Sequence, residues 1–285
     1  MKPNDTPLAL QTQNLCLARN GTSILQGINL DVPVGAVVGL VGRNGAGKTS
    51  LLRCLTGLLE PSSGNASLLG CPSGHLSDAV RERLGYVAQT PDLFEWMEVF
   101  QMIKSIGQAY PRWNETRALA LAVQLDLPVG RTVRNLSGGD QQKLSVVLAL
   151  AHDPDLLLLD EPVSSLDPMV RREFMRALFA SPLRSDSPTR ERTVLISSHL
   201  LSDLERVVTH VAFIRDGRLQ CMDAWDDMLE HFRRLPPATH DAWSKAVVWT
   251  NQQTRQRVVD TRRGPTGLDA GHSLTLDELF QEFNA

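Results

Sequence analysis

The chain has 285 residues, enough for two domains or for one large domain with an appendage. Hydrophobic residues at 42% and charged residues at 21% exclude a disordered, collagenous or coiled-coil chain. A net charge of -3, from 29 basic and 32 acidic residues, supplies no global basic field for gripping nucleic acid.

The opening residues, MKPNDTPLALQTQN, do not read as a secretion signal, and four cysteines without a Cys-x-x-Cys pair suit a reducing compartment. A cytoplasmic setting is expected. No apolar stretch approaches the ~20 residues needed to cross a bilayer, so the chain itself is not expected to span one. In chain order, residues 35–41 form a short apolar run before a Gly-rich turn, and 48–59 carry helical apolar spacing, which predicts strand, loop, helix. Further strands are expected at 84–88, 156–159, 193–197 and 211–214, with helices at 168–180 and 200–209. This alternation predicts an α/β fold with a mostly parallel sheet. Between residues 91 and 152 the pattern changes, since 99–110, 114–125 and 140–151 read as helices with no strand between them, which predicts an inserted helical subdomain. Beyond residue 222 a helix at 225–232, a break at Pro236-Pro237 and short strands at 246–249 and 257–259 predict a small α+β extension over 223–285.

Three segments carry chemistry. GRNGAGKT at 42–49 is a phosphate loop placed between a predicted strand and a predicted helix, as its mechanism requires. Gly42, Asn44, Gly45, Ala46, Gly47 and Ser50 offer a backbone cradle for phosphate, Lys48 reaches the β- and γ-phosphates, and the Thr49 hydroxyl suits magnesium. DLLLLDEP at 155–162 is an apolar strand ending in two acids. Asp160 is the candidate magnesium ligand, and Glu161 the candidate general base for an attacking water. LSGGDQQK at 136–143 places Ser137, Gly138 and Gly139 at a helix start, where hydroxyl and N–H groups face outward as an anion site.

The last of these resembles the signature motif of ABC-type ATPases, LSGGQ in its usual form. Other marks follow in family order: Gln89 at a strand end, Ser165-Leu166-Asp167 past Glu161, and His199 after the strand at 194–198. The resemblance covers roughly residues 8 to 222. It implies a P-loop ATPase core over 1–222, MgATP as ligand, and hydrolysis shared between two copies in a head-to-tail homodimer. In that arrangement Ser137 and Gly139 face the partner's γ-phosphate, Gln89 touches magnesium or the lytic water, His199 contacts the γ-phosphate, and Asp167 lies at the dimer interface. Two departures stand out. Asp140 replaces the usual Gln of the signature, which implies a slower enzyme. Ala18-Arg19-Asn20-Gly21 stands where the family often has an adenine-stacking aromatic, so Arg19 is either a guanidinium stack or simply the approach to an Asn-Gly turn.

Leu93, Phe94, Trp96 and Met97 form an apolar cluster soon after Gln89, where transport members of the family receive a membrane partner; the other reading is that they fill the insert's own core. Residues 109–114 and 273–280 loosely resemble stand-alone exporter-type subunits. The implied role is an ATP-hydrolysing subunit held at the inner face of the cell membrane by a separate transmembrane permease, with no direct nucleic-acid contact. The competing class is a soluble ABC ATPase acting on nucleic acid or ribosomes. One motif set, no sustained heptads and no basic excess oppose it. A regulatory ATP binder without turnover is opposed by the presence of Lys48, Asp160, Glu161 and His199.

Overall fold

The computed structural model describes residues 7–164, 192–199, 207–235, 241–251, 254–265 and 271–284, with isolated positions at 171–179 and 204. Ser165, Leu166 and Asp167, and most of the helices expected at 168–180 and 200–209, lie outside the described residues.

An apolar run takes the middle of a parallel sheet when both its faces are covered. Strand β3 (Val37–Val41) is such a run, as are β7 (Leu156–Asp160), β8 (Thr193–Ser198) and β9 (His210–Arg215), while the half-buried β6 (Leu84–Val87) takes an edge. They align in the order β9-β3-β8-β7-β6, all parallel, and β10 (Arg218–Ala224) adds an antiparallel edge beside β9. The alternation of side chains divides β7 between two cores, with Leu157 and Leu159 on one face and Leu156 and Leu158 on the other. All four are fully buried, each worth about 1.5-3 kcal/mol relative to exposure.

One face is covered by the insert, whose helices are α3 (Val99–Gly107), α4 (Glu115–Gln124) and α5 (Gly138–Leu150). Its only β pairing among the described residues is the isolated bridge Glu98–Thr132, in accord with the helical reading. The other face packs on α1 (Lys48–Leu55) and on an antiparallel sheet that was not anticipated. That sheet is formed by β1 (Leu8–Arg19), β2 (Thr22–Pro33), β4 (Ser63–Leu68) and β5 (Cys71–Pro72), in the order β2-β1-β4-β5. A short helix, α2 (Asp78–Arg81), precedes β6.

The carboxyl-terminal residues form α6 (Trp225–His231) and a small sheet in the order β12-β13-β11-β14, followed by α7 (Leu276–Asn284). Its strands are β11 (Phe232–Leu235), β12 (Val247–Thr250), β13 (Arg257–Asp260) and β14 (His272–Ser273). Of these, β11 and β14 were not expected. Phe283 of α7 stacks on Phe213 of β9 at 4.6 Å, and Arg262 pairs with Asp223, Asp227 and Asp260, which joins the extension to the edge of the main sheet.

Candidate functional site

In a parallel sheet the loops that leave the carboxyl ends of the strands share one edge. The residues following β3, β6, β7 and β8 are the phosphate loop, Gln89, Asp160-Glu161 and His199, so the topology alone brings four separate sequence signals together.

The phosphate loop needs glycine for two physical reasons. At Gly47, the residue capping α1, φ is 105°, and an added Cβ would lie 2.9 Å from the Leu25 side chain. At Gly42 a Cβ would stand 2.2 Å from the Ile214 carbonyl oxygen, so the backbone there has no room for a side chain. The resulting cleft, about 420 Å³, is lined by Asn44, Gly45, Gly47, Lys48, Thr49, Ser50, Gln89 and Glu161, with Ile24. Gly42 and Ala46 are buried beneath the loop. The Ala46 carbonyl accepts the Gly217 N–H at 3.0 Å, so the turn between β9 and β10 braces the loop from behind.

Lys48 is buried and its ammonium is fully engaged, donating to the Gly42 carbonyl at 2.7 Å and the Arg43 carbonyl at 3.2 Å and pairing with Glu161 Oε1 at 3.2 Å. The second Glu161 oxygen, Oε2, lies 2.6 Å from His199 Nδ1. Glu161 itself has φ +47°, a left-handed conformation that a non-glycine residue adopts only under constraint. The constraint is visible: its backbone N–H donates to Ser197 Oγ at 2.9 Å. Ser197 in turn donates to Asp160 Oδ1 at 2.8 Å.

Asp160 is fully buried, and burial raises its carboxyl above the ordinary aspartate range against the opposing pull of the Ser197 and Thr49 hydroxyls. Its Oδ2 has no hydrogen-bond partner. A buried carboxylate oxygen without a partner is costly unless a cation completes it. The chemistry here, a hard carboxylate oxygen beside a threonine hydroxyl and a phosphate cradle, fits magnesium.

The signature segment lies elsewhere. Ser137 is the N-cap of α5, accepting the Asp140 N–H at 3.1 Å. Ser137 and Gly138 are exposed and Gly139 is half-buried, and neither Ser137 nor Gly139 lines the cleft of the same chain. Asp140 accepts a hydrogen bond from the Ser137 hydroxyl at its Oδ2, 2.8 Å long, and pairs with Lys143 at 3.1 Å.

Residues 25–164 match the family model described as ABC transporter. The bacitracin transport ATP-binding protein BcrA of Bacillus licheniformis is 30% identical over 247 residues, covering 85% of this chain and 78% of that protein. The chain belongs to the family of ABC transporter ATP-binding proteins. An ABC transporter ATP-binding protein of Nostoc sp. is 33% identical over 72% of this chain, and the match spans 61% of that relative's length. Among solved structures, an ATP-binding subunit of an ABC transporter superposes with a TM-score of 0.68 at 25% identity, covering 79% of this chain and 92% of that one.

Within this ABC cassette, Lys48, Gln89, Asp160, Glu161 and His199 meet at one edge, while Ser137 and Gly139 do not join them. Arg19 is exposed, on the approach to a left-handed Asn20-Gly21 turn with φ +49° and +76°, and it is absent from the cleft lining; Ile24, which went unnoticed in the sequence, is present there. Ser197 was also missed. Its signal was a hydroxyl ending an otherwise apolar strand, visible in Val-Leu-Ile-Ser but without meaning until the register opposite Asp160 is known. Gln142 is a third, a buried amide of α5 donating to the Ala88 carbonyl at 3.2 Å and so tying the signature helix to the residue before Gln89.

The cluster after Gln89 divides. Leu93 and Met97 pack against the core, as the core-filling reading predicts, whereas Phe94 is 43% and Trp96 72% exposed, their rings 5.1 Å apart. No helix among the described residues is long and apolar enough to cross a membrane.

Proposed function

We propose that the chain binds and hydrolyses ATP as the motor subunit of a transporter whose permease is a separate polypeptide, two copies closing around two ATP molecules. The observation that carries this reading is the convergence of Lys48, Glu161 and His199 beside the buried Asp160 at the edge of the sheet. ATP is the substrate. The backbone N–H groups of the phosphate loop and the positive end of α1 receive its phosphates, and Lys48 Nζ receives the β- and γ-oxygens. Phosphate oxygens replace Glu161 on Lys48, which releases Glu161 Oε1 toward the attacking water. Glu161 Oε1 then accepts the water's proton, while His199 Nδ1 keeps Oε2 from turning away and leaves Nε2 to face the γ-phosphate. Thr49, Gln89 and Asp160 Oδ2 would hold magnesium, which when bound neutralises charge on the phosphate oxygens.

Ser137 and Gly139 belong to the other copy's reaction, Ser137 being exposed, Gly139 half-buried, and both outside their own cleft. The ATP-binding unit is read as residues 1–222, with the insert at 91–152, and 223–285 as an extension. The exporter-like segments favour an export system, whose permease holds this subunit at the inner membrane face. The exposed pair Phe94 and Trp96, of which Phe94 lines a groove of about 760 Å³ together with Leu93, Tyr110 and Leu148, supports docking of that permease.

The test is phosphate release by the purified chain, without and with membranes from cells that make the chain naturally. Saturable, magnesium-dependent release is expected, and its absence in both preparations would remove the motor reading. Replacing Phe94 and Trp96 together by Ser should leave the melting temperature within a few degrees and abolish co-sedimentation with those membranes. Truncating buried aromatics instead costs about 3-5 kcal/mol each, so a large melting loss would assign the pair to the core.

A further inference from the structure

We propose that Ser197 is the residue that positions both acids of the hydrolytic site, fixing which oxygen of Asp160 faces the metal and holding Glu161 in the conformation of a general base. The inference rests on the MgATP reading given above.

Ser197 lies on β8 in register with Asp160 of the neighbouring β7 and is fully buried. Its three predecessors on the strand, Val194, Leu195 and Ile196, are apolar core residues. A hydroxyl buried in such a strand is unfavourable unless it is hydrogen-bonded, and this one is engaged as donor and as acceptor. It donates to Asp160 Oδ1 at 2.8 Å and accepts from the Glu161 N–H at 2.9 Å.

Both bonds act on reacting groups. A carboxylate rotates about its Cβ–Cγ bond and presents either oxygen; with Oδ1 held by Ser197, Oδ2 is the oxygen left for a cation, and Oδ2 is the buried atom without a partner. Removing a group that orients a metal ligand from behind in this way typically costs about 10- to 100-fold in metal affinity. The second bond anchors the Glu161 backbone where φ is +47°, a conformation that relaxes unless the surroundings hold it. His199, two residues further along, holds the other end of the same residue through Oε2 at 2.6 Å. The end of β8 thus grips Glu161 by its backbone and by its carboxylate, and one hydroxyl links that grip to the metal-facing aspartate.

The experiment compares parent, Ser197→Ala and Ser197→Thr by calorimetric titration with ATP in EDTA and with ATP in excess Mg2+, alongside kcat, KM and melting temperature. Ser197→Ala should bind metal-free ATP like the parent and lose about 10- to 100-fold of the affinity gained from Mg2+, the loss that removing an orienting group behind a ligand brings. Its kcat should fall by a similar factor with KM for MgATP rising less, and Ser197→Thr, which keeps the hydroxyl, should restore both. Two results would overturn the assignment: a Ser197→Ala variant with the parent's Mg2+ increment and kcat, or one that weakens metal-free and Mg2+-bound ATP equally with a lowered melting temperature, which would make Ser197 a packing residue. A parent that binds ATP no more tightly with Mg2+ would instead overturn the MgATP reading on which the inference stands.

Discussion

One chain carries two anion sites built on opposite plans. Around Lys48 the charges are buried and largely answered from within: the ammonium by Gly42, Arg43 and Glu161, the Glu161 carboxylate by Lys48 and His199, and Asp160 at Oδ1 by Ser197, with Oδ2 left open. Around Ser137 the site is exposed, a single cap whose hydroxyl exchanges hydrogen bonds with Asp140 three residues on. A site of the first kind shapes chemistry because water is excluded and the groups are pre-set; one of the second kind is easily satisfied by water and by its own helix, and acquires a task only when another surface covers it. The contrast supports the proposal that the two sites are halves of a reaction that a second copy completes.

The largest expected effect breaks the buried half at its base. Glu161→Gln keeps the size of the side chain and one acceptor oxygen but cannot take a proton, so turnover should fall by about 10²- to 10⁴-fold. MgATP binding should survive, and with hydrolysis stopped, the paired state should accumulate at twice the 31.5 kDa chain mass in size-exclusion chromatography. A monomeric profile with undiminished phosphate release would overturn both the base assignment and the pairing of the two halves.

Next comes the cation. Lys48→Ala removes a charge-assisted contact worth about 1.5-3 kcal/mol, so calorimetry should show MgATP binding weakened roughly 10- to 100-fold. The same change leaves Glu161, 5% exposed, without one of its two partners. Breaking a buried pair by removing one member is destabilising by about 3-5 kcal/mol, so the nucleotide-free variant should melt several degrees below the parent. A variant that melts with the parent would mean that the buried half is less internally balanced than its geometry implies.

How much of this was legible beforehand follows the same division between local and non-local. The buried half announced itself because phosphate loop, Asp160-Glu161 and His199 each end an apolar run, and a parallel sheet gathers such ends at one edge. The antiparallel sheet did not, because its pattern is interrupted. In β1 the buried positions Leu10 and Thr12 keep one alternation, Asn14 enters the left-handed region at φ +47°, and Leu15 and Leu17 resume out of step. In β4, Ser-Gly-Asn-Ala-Ser-Leu offers one fully buried apolar side chain. The strand β11, Phe-Arg-Arg-Leu, hides its signal in the same way, since its arginines are half-buried and Arg234 is paired with Glu278 and Glu282 across the extension. Ser197 is the plainest case: its role depends on the register of β8 against β7, and no reading along one strand contains that.

The smallest effect tests the exposed half, where the chain departs from its family. Here the Ser137 hydroxyl is taken up in donating to Asp140 Oδ2 at 2.8 Å, and under the proposed pairing the carboxylate adds a negative charge where the partner's γ-phosphate would sit. Asp140→Gln removes that charge and leaves the Ser137 cap on the residue-140 N–H intact. Two opposing terms decide the outcome. The acid gains about 0.3-1 kcal/mol from its place in the first turn of α5, and its ion pair with Lys143, 3.1 Å long and partly screened, adds no more than about 1 kcal/mol. The variant should therefore melt only slightly lower. Against this, relief of repulsion across a closed, dry interface is worth more than the same charge costs in water, so the Glu161→Gln background should dimerise at lower MgATP, and the single variant should turn over several-fold faster at saturating nucleotide. The exposed half gains activity while losing a little stability, whereas Lys48→Ala in the buried half should lose both binding and stability. Unchanged or slower turnover in Asp140→Gln would show that the Ser137 hydroxyl does not face a phosphate, and the division of the chain into two complementary half-sites would fail at its weaker end.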